Sequence, residues 1–159
     1  MPFMSTLRMT EVTYDARDAG RLARFWADAL GWDVGPGASE YVANVGGPRR
    51  PPEALPMLFV QVPEEKRGKT RIHLDFHADD VVAEVARLVG LGASVLHEKR
   101  EWGVFWITMQ DPEGNEFCVG QPDPGQTESA DGENVVDLAA VPSGQPGPTT
   151  GEVPGPDGR

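Results

Sequence analysis

Glu11-Val-Thr-Tyr-Asp-Ala-Arg-Asp18 and, sixty-two residues later, His73-Leu-Asp-Phe-His-Ala-Asp-Asp80 follow one pattern written twice. Each alternates like a half-buried strand, with Val12 and Tyr14 on one face of the first and Leu74 and Phe76 on one face of the second. At this offset Ala16 matches Ala78 and Asp18 matches Asp80, while Val12/Leu74 and Tyr14/Phe76 are like for like. Internal repetition says more about fold than any single motif.

Working outward, each strand leads into a helix. Asp18 is a good N-cap, Leu22, Phe25, Trp26, Ala29 and Leu30 recur at helical spacing, and Gly31 is a stop signal. In the second copy Asp79 or Asp80 caps a helix with Val82, Val85, Leu88 and Val89 inward, ended by Gly90 and Gly92. Only strand signals follow. In the first half these are Tyr41–Val45 and Met57–Val62, separated by a Gly/Pro/Arg loop, with a third strand expected near Trp32–Val34. In the second half they are Ala93–Glu98, Trp102–Gln110 and Asn115–Val119, the last two joined by the turn Asp111-Pro-Glu-Gly114. Two strand–helix–three-strand units result, an α+β chain.

Composition bounds the rest. All twelve aromatic residues lie within positions 1–120. Beyond them, residues 121–159 hold 7 Pro, 7 Gly and 7 acids against Arg159 alone. Such a segment lacks apolar surface to offset chain entropy, so 122–159 is expected to be a disordered acidic tail. One domain over 8–121 remains, with modules at about 8–63 and 70–121. A net charge of −11 argues against nucleic acid and anionic membrane surfaces. No window approaches the ~18 apolar residues of a spanning helix. Met1 to Thr10 shows no signal-peptide pattern, and a cytoplasmic protein is the expectation. Cys118 is the only cysteine, which removes intrachain disulfides and cysteine-only zinc cages.

Three stretches carry a family resemblance: Arg21-Leu-Ala-Arg-Phe-Trp-Ala-Asp-Ala-Leu-Gly-Trp32, Arg71-Ile-His-Leu-Asp-Phe76 and Asp111-Pro-Glu-Gly-Asn-Glu-Phe117. With them the chain resembles the vicinal-oxygen-chelate superfamily, which holds glyoxalase I, bleomycin-resistance and extradiol-dioxygenase proteins, and most closely its glyoxalase-like branch. The match covers about residues 8–121. It implies two tandem βαβββ modules forming a curled mixed sheet around one cup-shaped small-molecule site, and it neither requires nor excludes a homodimer.

The resemblance also implies a divalent metal held by the first and last strands of each module. By position His73 and Glu116 are the best ligands, and Glu11, the repeat-equivalent of His73, is a third. An imidazole with carboxylates suits Zn, Ni, Fe, Mn or Co. Glu116 and Glu11 are also the candidate catalytic carboxylates. A fourth ligand is missing, because the first-module equivalent of Glu116 falls near Met57 or Leu58. Strand alternation puts Asp75 and His77 on the face of His73, and Trp102, Trp106 and Thr108 on one face of their own strand. Trp102, Trp106 and Asp75 are thereby the candidate substrate-binding residues.

Two readings stay open. One is a metal-dependent lyase, isomerase or dioxygenase acting on a small oxygen-bearing molecule, supported by His73 and Glu116. The other is a metal-free protein that sequesters a small molecule or antibiotic, as in the bleomycin-resistance branch. The missing ligand and the two indoles support the second. Fold alone does not choose between them.

Overall fold

The computed structural model describes residues 7–123. The segment expected as a tail lies, from residue 124 on, outside the described residues.

The first module runs β1 (Val12–Ala16), α1 (Ala19–Leu30), β2 (Asp33–Val34), β3 (Val42–Gly46) and β4 (Met57–Gln61). The second runs β5 (Leu74–His77), α2 (Val81–Leu91), β6 (Ser94–Glu101), β7 (Val104–Gln110) and β8 (Glu116–Pro122). Each module makes a four-stranded mixed sheet, in the order β1-β4-β3-β2 and β5-β8-β7-β6. The orders are identical under the repeat. In both sheets the first strand runs parallel to the last, and the other pairs are antiparallel. The sheets share no hydrogen-bonded strand pair among the described residues and do not close into a barrel.

The local signals act as expected at the helix ends. Asp18 is extended and accepts from the Arg21 amide at 2.8 Å, and Gly31 closes α1 at φ +67°. Asp80 rather than Asp79 caps α2, accepting from the Ala83 amide at 3.0 Å. Gly92 ends that helix at φ +113°, while Gly90 lies inside it. Val85, Leu88 and Val89 face the core as expected, and only the first turn differs. Val81 is buried and Val82 is exposed, opposite to the periodicity reading of Val82.

One core serves both modules. Trp26 on α1 meets Tyr14 and Phe25 of its own module and Phe76 and Phe117 of the other, with ring centroids 5.1 to 5.9 Å apart. Polar contacts follow the same seam. The Glu113 carboxylate accepts from the Arg17 amide, just ahead of α1. The Arg87 guanidinium on α2 donates to the Asp28 and Ala29 carbonyls at the other end of that helix, at 3.2 and 2.7 Å. No helix among the described residues is long and apolar enough to cross a membrane.

Candidate functional site

With Leu74, Phe76, Phe105, Ile107, Met109, Phe117 and Val119 turned toward the core, alternation puts their neighbours on the opposite face of the second sheet. Asp75, Cys118, Thr108 and His97 are register partners in turn and form one row across that face. His77, Gly120, Trp106 and Lys99 form the next. A cavity of about 680 Å³ opens here, lined among others by Asp75, Trp102, Trp106, Cys118, Gly120 and Pro122. Its lining comes entirely from the second module, and Asp75, Trp102 and Trp106 all belong to it.

Gly120 keeps the floor clear. A Cβ there would stand 3.3 Å from both the Phe105 carbonyl oxygen and the Trp106 Cβ. Cys118 faces the cavity with its Sγ 3.5 Å from Thr108 Oγ1. Burial pushes its thiol up from the usual range, with the nearby Asp75 carboxylate adding to the effect.

Trp102 is not on a strand. It and Gly103 form the two-residue turn of the β6–β7 hairpin, flanked by the pair Glu101–Val104, with φ +52° and +72°. Positive φ at both central positions is the hairpin-compatible primed turn, which ordinarily takes Asn or Gly. Trp102 is the only non-glycine with positive φ among the described residues, and its side chain is 88% exposed. Its ring lies 6.2 Å from that of Trp106 with the planes only 16° apart. The two rings are stacked, Trp106 half-buried on the strand and Trp102 leaving most of its surface to solvent.

The metal candidates are arranged differently. Glu116 is 5% exposed at the start of β8. Its Oε2 accepts from the Thr70 amide at 2.8 Å, and its Oε1 lies 3.5 Å from the Lys66 ammonium, which also donates to the Gly68 carbonyl at 2.6 Å. Burial would raise this carboxyl, but the Thr70 donors and the Lys66 charge reverse the effect and hold it at about 2. His73 Nε2 lies 3.1 Å from the Thr70 carbonyl, which only accepts, so that nitrogen carries the proton. Glu11 lies exposed ahead of β1. Among the described residues no three of His, Cys, Asp and Glu come together in a group fit for a metal ion. The register also locates the missing ligand. Val12 pairs with Met57 as Leu74 pairs with Phe117, so Pro56 stands where the second module has Glu116, one residue before the expected Met57. Superfamily members commonly use divalent metals, but this donor set does not fit one: its best carboxylate is already satisfied by the linker.

Lys66 and Thr70 were not singled out from sequence. Glu64-Glu65-Lys66-Arg67-Gly68-Lys69 reads as a solvated charge run, and only the fold shows that it crosses to Glu116. The Trp-Gly dipeptide at 102–103 did carry a turn signal, masked by the apolar run after it.

A family profile for the glyoxalase-like domain matches residues 11–120. The chain belongs to that family, within the vicinal-oxygen-chelate superfamily. Among solved structures it is similar to a glyoxalase/bleomycin resistance protein/dioxygenase from Nocardioides, at 16% identity and TM-score 0.61, covering 82% of this chain and 93% of that one. A glyoxalase/bleomycin resistance protein/dioxygenase family enzyme from Burkholderia phytofirmans PsJN follows at 17% identity and TM-score 0.58, covering 70% and 95%. A glyoxalase-related enzyme from Fulvimarina pelagi gives 15% identity and TM-score 0.56, covering 71% and 86%. At these identities the likeness shows the fold alone. No curated protein matches the chain.

Proposed function

We propose that this chain binds a planar small organic molecule non-covalently in the second module's cavity, as a sequestering protein of the bleomycin-resistance type would. The observation that carries the reading is the near-parallel pair of indoles Trp102 and Trp106 lining a mainly apolar cavity of about 680 Å³. Flat ligands gain stacking and buried apolar area from such a slot, and cavities of this size suit drug-sized molecules. The backbone at Trp102 supports a functional role. A bulky residue in the left-handed region costs roughly 1–2 kcal/mol relative to Gly, and such strain concentrates at ligand sites.

The metal-dependent enzyme is the weaker reading, because Glu116 is engaged by Thr70 and Lys66 and Pro56 replaces its counterpart. The test is a fluorescence titration with a panel of planar aromatic compounds. Saturable quenching of the wild-type indoles is expected, lost in Trp102→Ala and Trp106→Ala. No saturable quenching by any of the compounds would overturn the proposal.

A further inference from the structure

We infer that the ligand of this cavity is a planar cation, taken between Trp102 and Trp106 with Asp75 as its counter-charge; the inference rests on the binding reading above.

Three observations carry it. The first is charge. Asp75 stands exposed on the cavity wall, its row partner being the uncharged Cys118. Among the described residues no Lys, Arg or His forms an ion pair with it. The cations nearby are otherwise placed. Lys99, beside Trp106 in the sheet, pairs with Glu101 at 3.6 Å. Lys69, whose charge reaches Cys118 and His97, does not line the cavity. His77, which does, sits 3.4 Å from Asp79. Asp75 is therefore a carboxylate with no ion-paired Lys, Arg or His among the described residues, on a mainly apolar wall whose other polar side chains include His77 and Gln121.

The second observation is the indoles themselves. The face of an indole is the negative part of its quadrupole, so a delocalised cation is drawn to both rings as well as to the carboxylate. A planar anion meets three unfavourable neighbours, and a neutral molecule gains only stacking.

The third is clearance. A ring held between two others needs about 7 Å between the outer planes, two contacts of ~3.5 Å each. The two rings are a stacked pair with centroids 6.2 Å apart, so they must part for a third ring to enter between them. Trp106 is anchored mid-strand in β7, whereas Trp102 sits at the hairpin tip with most of its side chain exposed and Trp106 as its ring neighbour. Trp102 is the jaw that moves.

The experiment uses the full chain and three planar probes of similar size, read by calorimetry at low salt: 9-aminoacridine (cation), acridone (neutral) and anthraquinone-2-sulfonate (anion). The cation is expected to bind at least ten-fold more tightly than acridone, with the sulfonate weakest. Asp75→Asn should bring cation and neutral probe within about three-fold, with the melting temperature unchanged because the residue is exposed. Raising the salt on the wild type should weaken the cation alone, which checks the charge term without any variant. Equal wild-type affinities for cation and neutral probe would overturn the inference and leave the slot reading standing. If none of the three binds, both fall; a change of oligomeric state in Trp102→Gly would then assign the exposed indole to a contact between copies of this chain.

Discussion

The indole Nε1 of Trp26 donates to Asp111 Oδ2 at 3.2 Å, joining the helix of the first module to the β7–β8 turn of the second. Both residues are almost wholly buried. Asp111 also organises its own turn, its Oδ1 accepting from the Glu113 and Asn115 amides at 2.9 and 3.0 Å. Burial pushes its carboxyl up, and these donors act against that shift. The Asp-Pro-Glu-Gly-Asn motif is therefore both a turn and the socket for Trp26.

Trp26→Ala should cost about 3–5 kcal/mol in chemical denaturation, since it empties a site packed by rings from both modules. Trp26→Phe should cost less, keeping most of the apolar contact while removing one donor from Asp111. Arg24→Ala, on the exposed face of the same helix, should stay within about 0.5 kcal/mol. Equal small losses for Trp26→Ala and Arg24→Ala would mean that the seam does not hold the modules together.

Trp102→Gly should leave stability equal or raise it by up to about 1 kcal/mol, because glycine adopts the positive φ of this turn without strain. The same variant should lose planar-ligand binding. Thermal melts and titrations on one preparation check both. A clear loss of stability would show that the exposed indole packs in the folded state.

Glu116 predicts an acid limb in the stability profile. Its folded value of about 2 lies below the ordinary 4.5, so its contribution is full above pH 4.5 and is lost as pH falls toward 2. The difference corresponds to roughly 3 kcal/mol. Lys66→Met and Glu116→Gln should each flatten the curve in that window. Denaturant midpoints measured from pH 5 to pH 2 give the comparison, and an unchanged slope in Glu116→Gln would contradict the assignment.

Divalent ions supply a fourth test. With Lys66 and Thr70 on the Glu116 carboxylate, Zn, Mn, Ni or Co should barely move the wild-type melting temperature. Lys66→Met uncovers the carboxylate, so the same ions should raise its melting temperature more than that of the wild type. A larger rise in the wild type would return His73, Glu116 and Glu11 to the role of metal ligands.

The fold was legible because its signals are local and doubled. The repeat of Val12/Tyr14 in Leu74/Phe76, the capping Asp18 and Asp80, and the turn at Asp111 each act over a few residues, and the structure places strands and helices there. The short β2 at Asp33–Val34 also falls where a third strand was expected. Val82 went astray because two adjacent valines fit either phase of a helix and the cap decides between them.

The site divides along the same line. Alternation alone put Asp75 and Cys118 on strand faces that share a cavity, since side-chain direction in a strand follows from parity. Parity cannot say which loops return over those faces. The linker that brings Lys66 and Thr70 onto Glu116, the proline standing opposite it in the repeat, and the angle between two indoles are set by contacts between residues far apart in the chain. The sequence by itself determined the paired modules and the polarity of their faces, because those depend on periods of two and 3.6 residues. Only the tertiary structure decided that the carboxylate meets an ammonium and that the two indoles lie near-parallel beside the cavity, because those depend on distances that no period encodes.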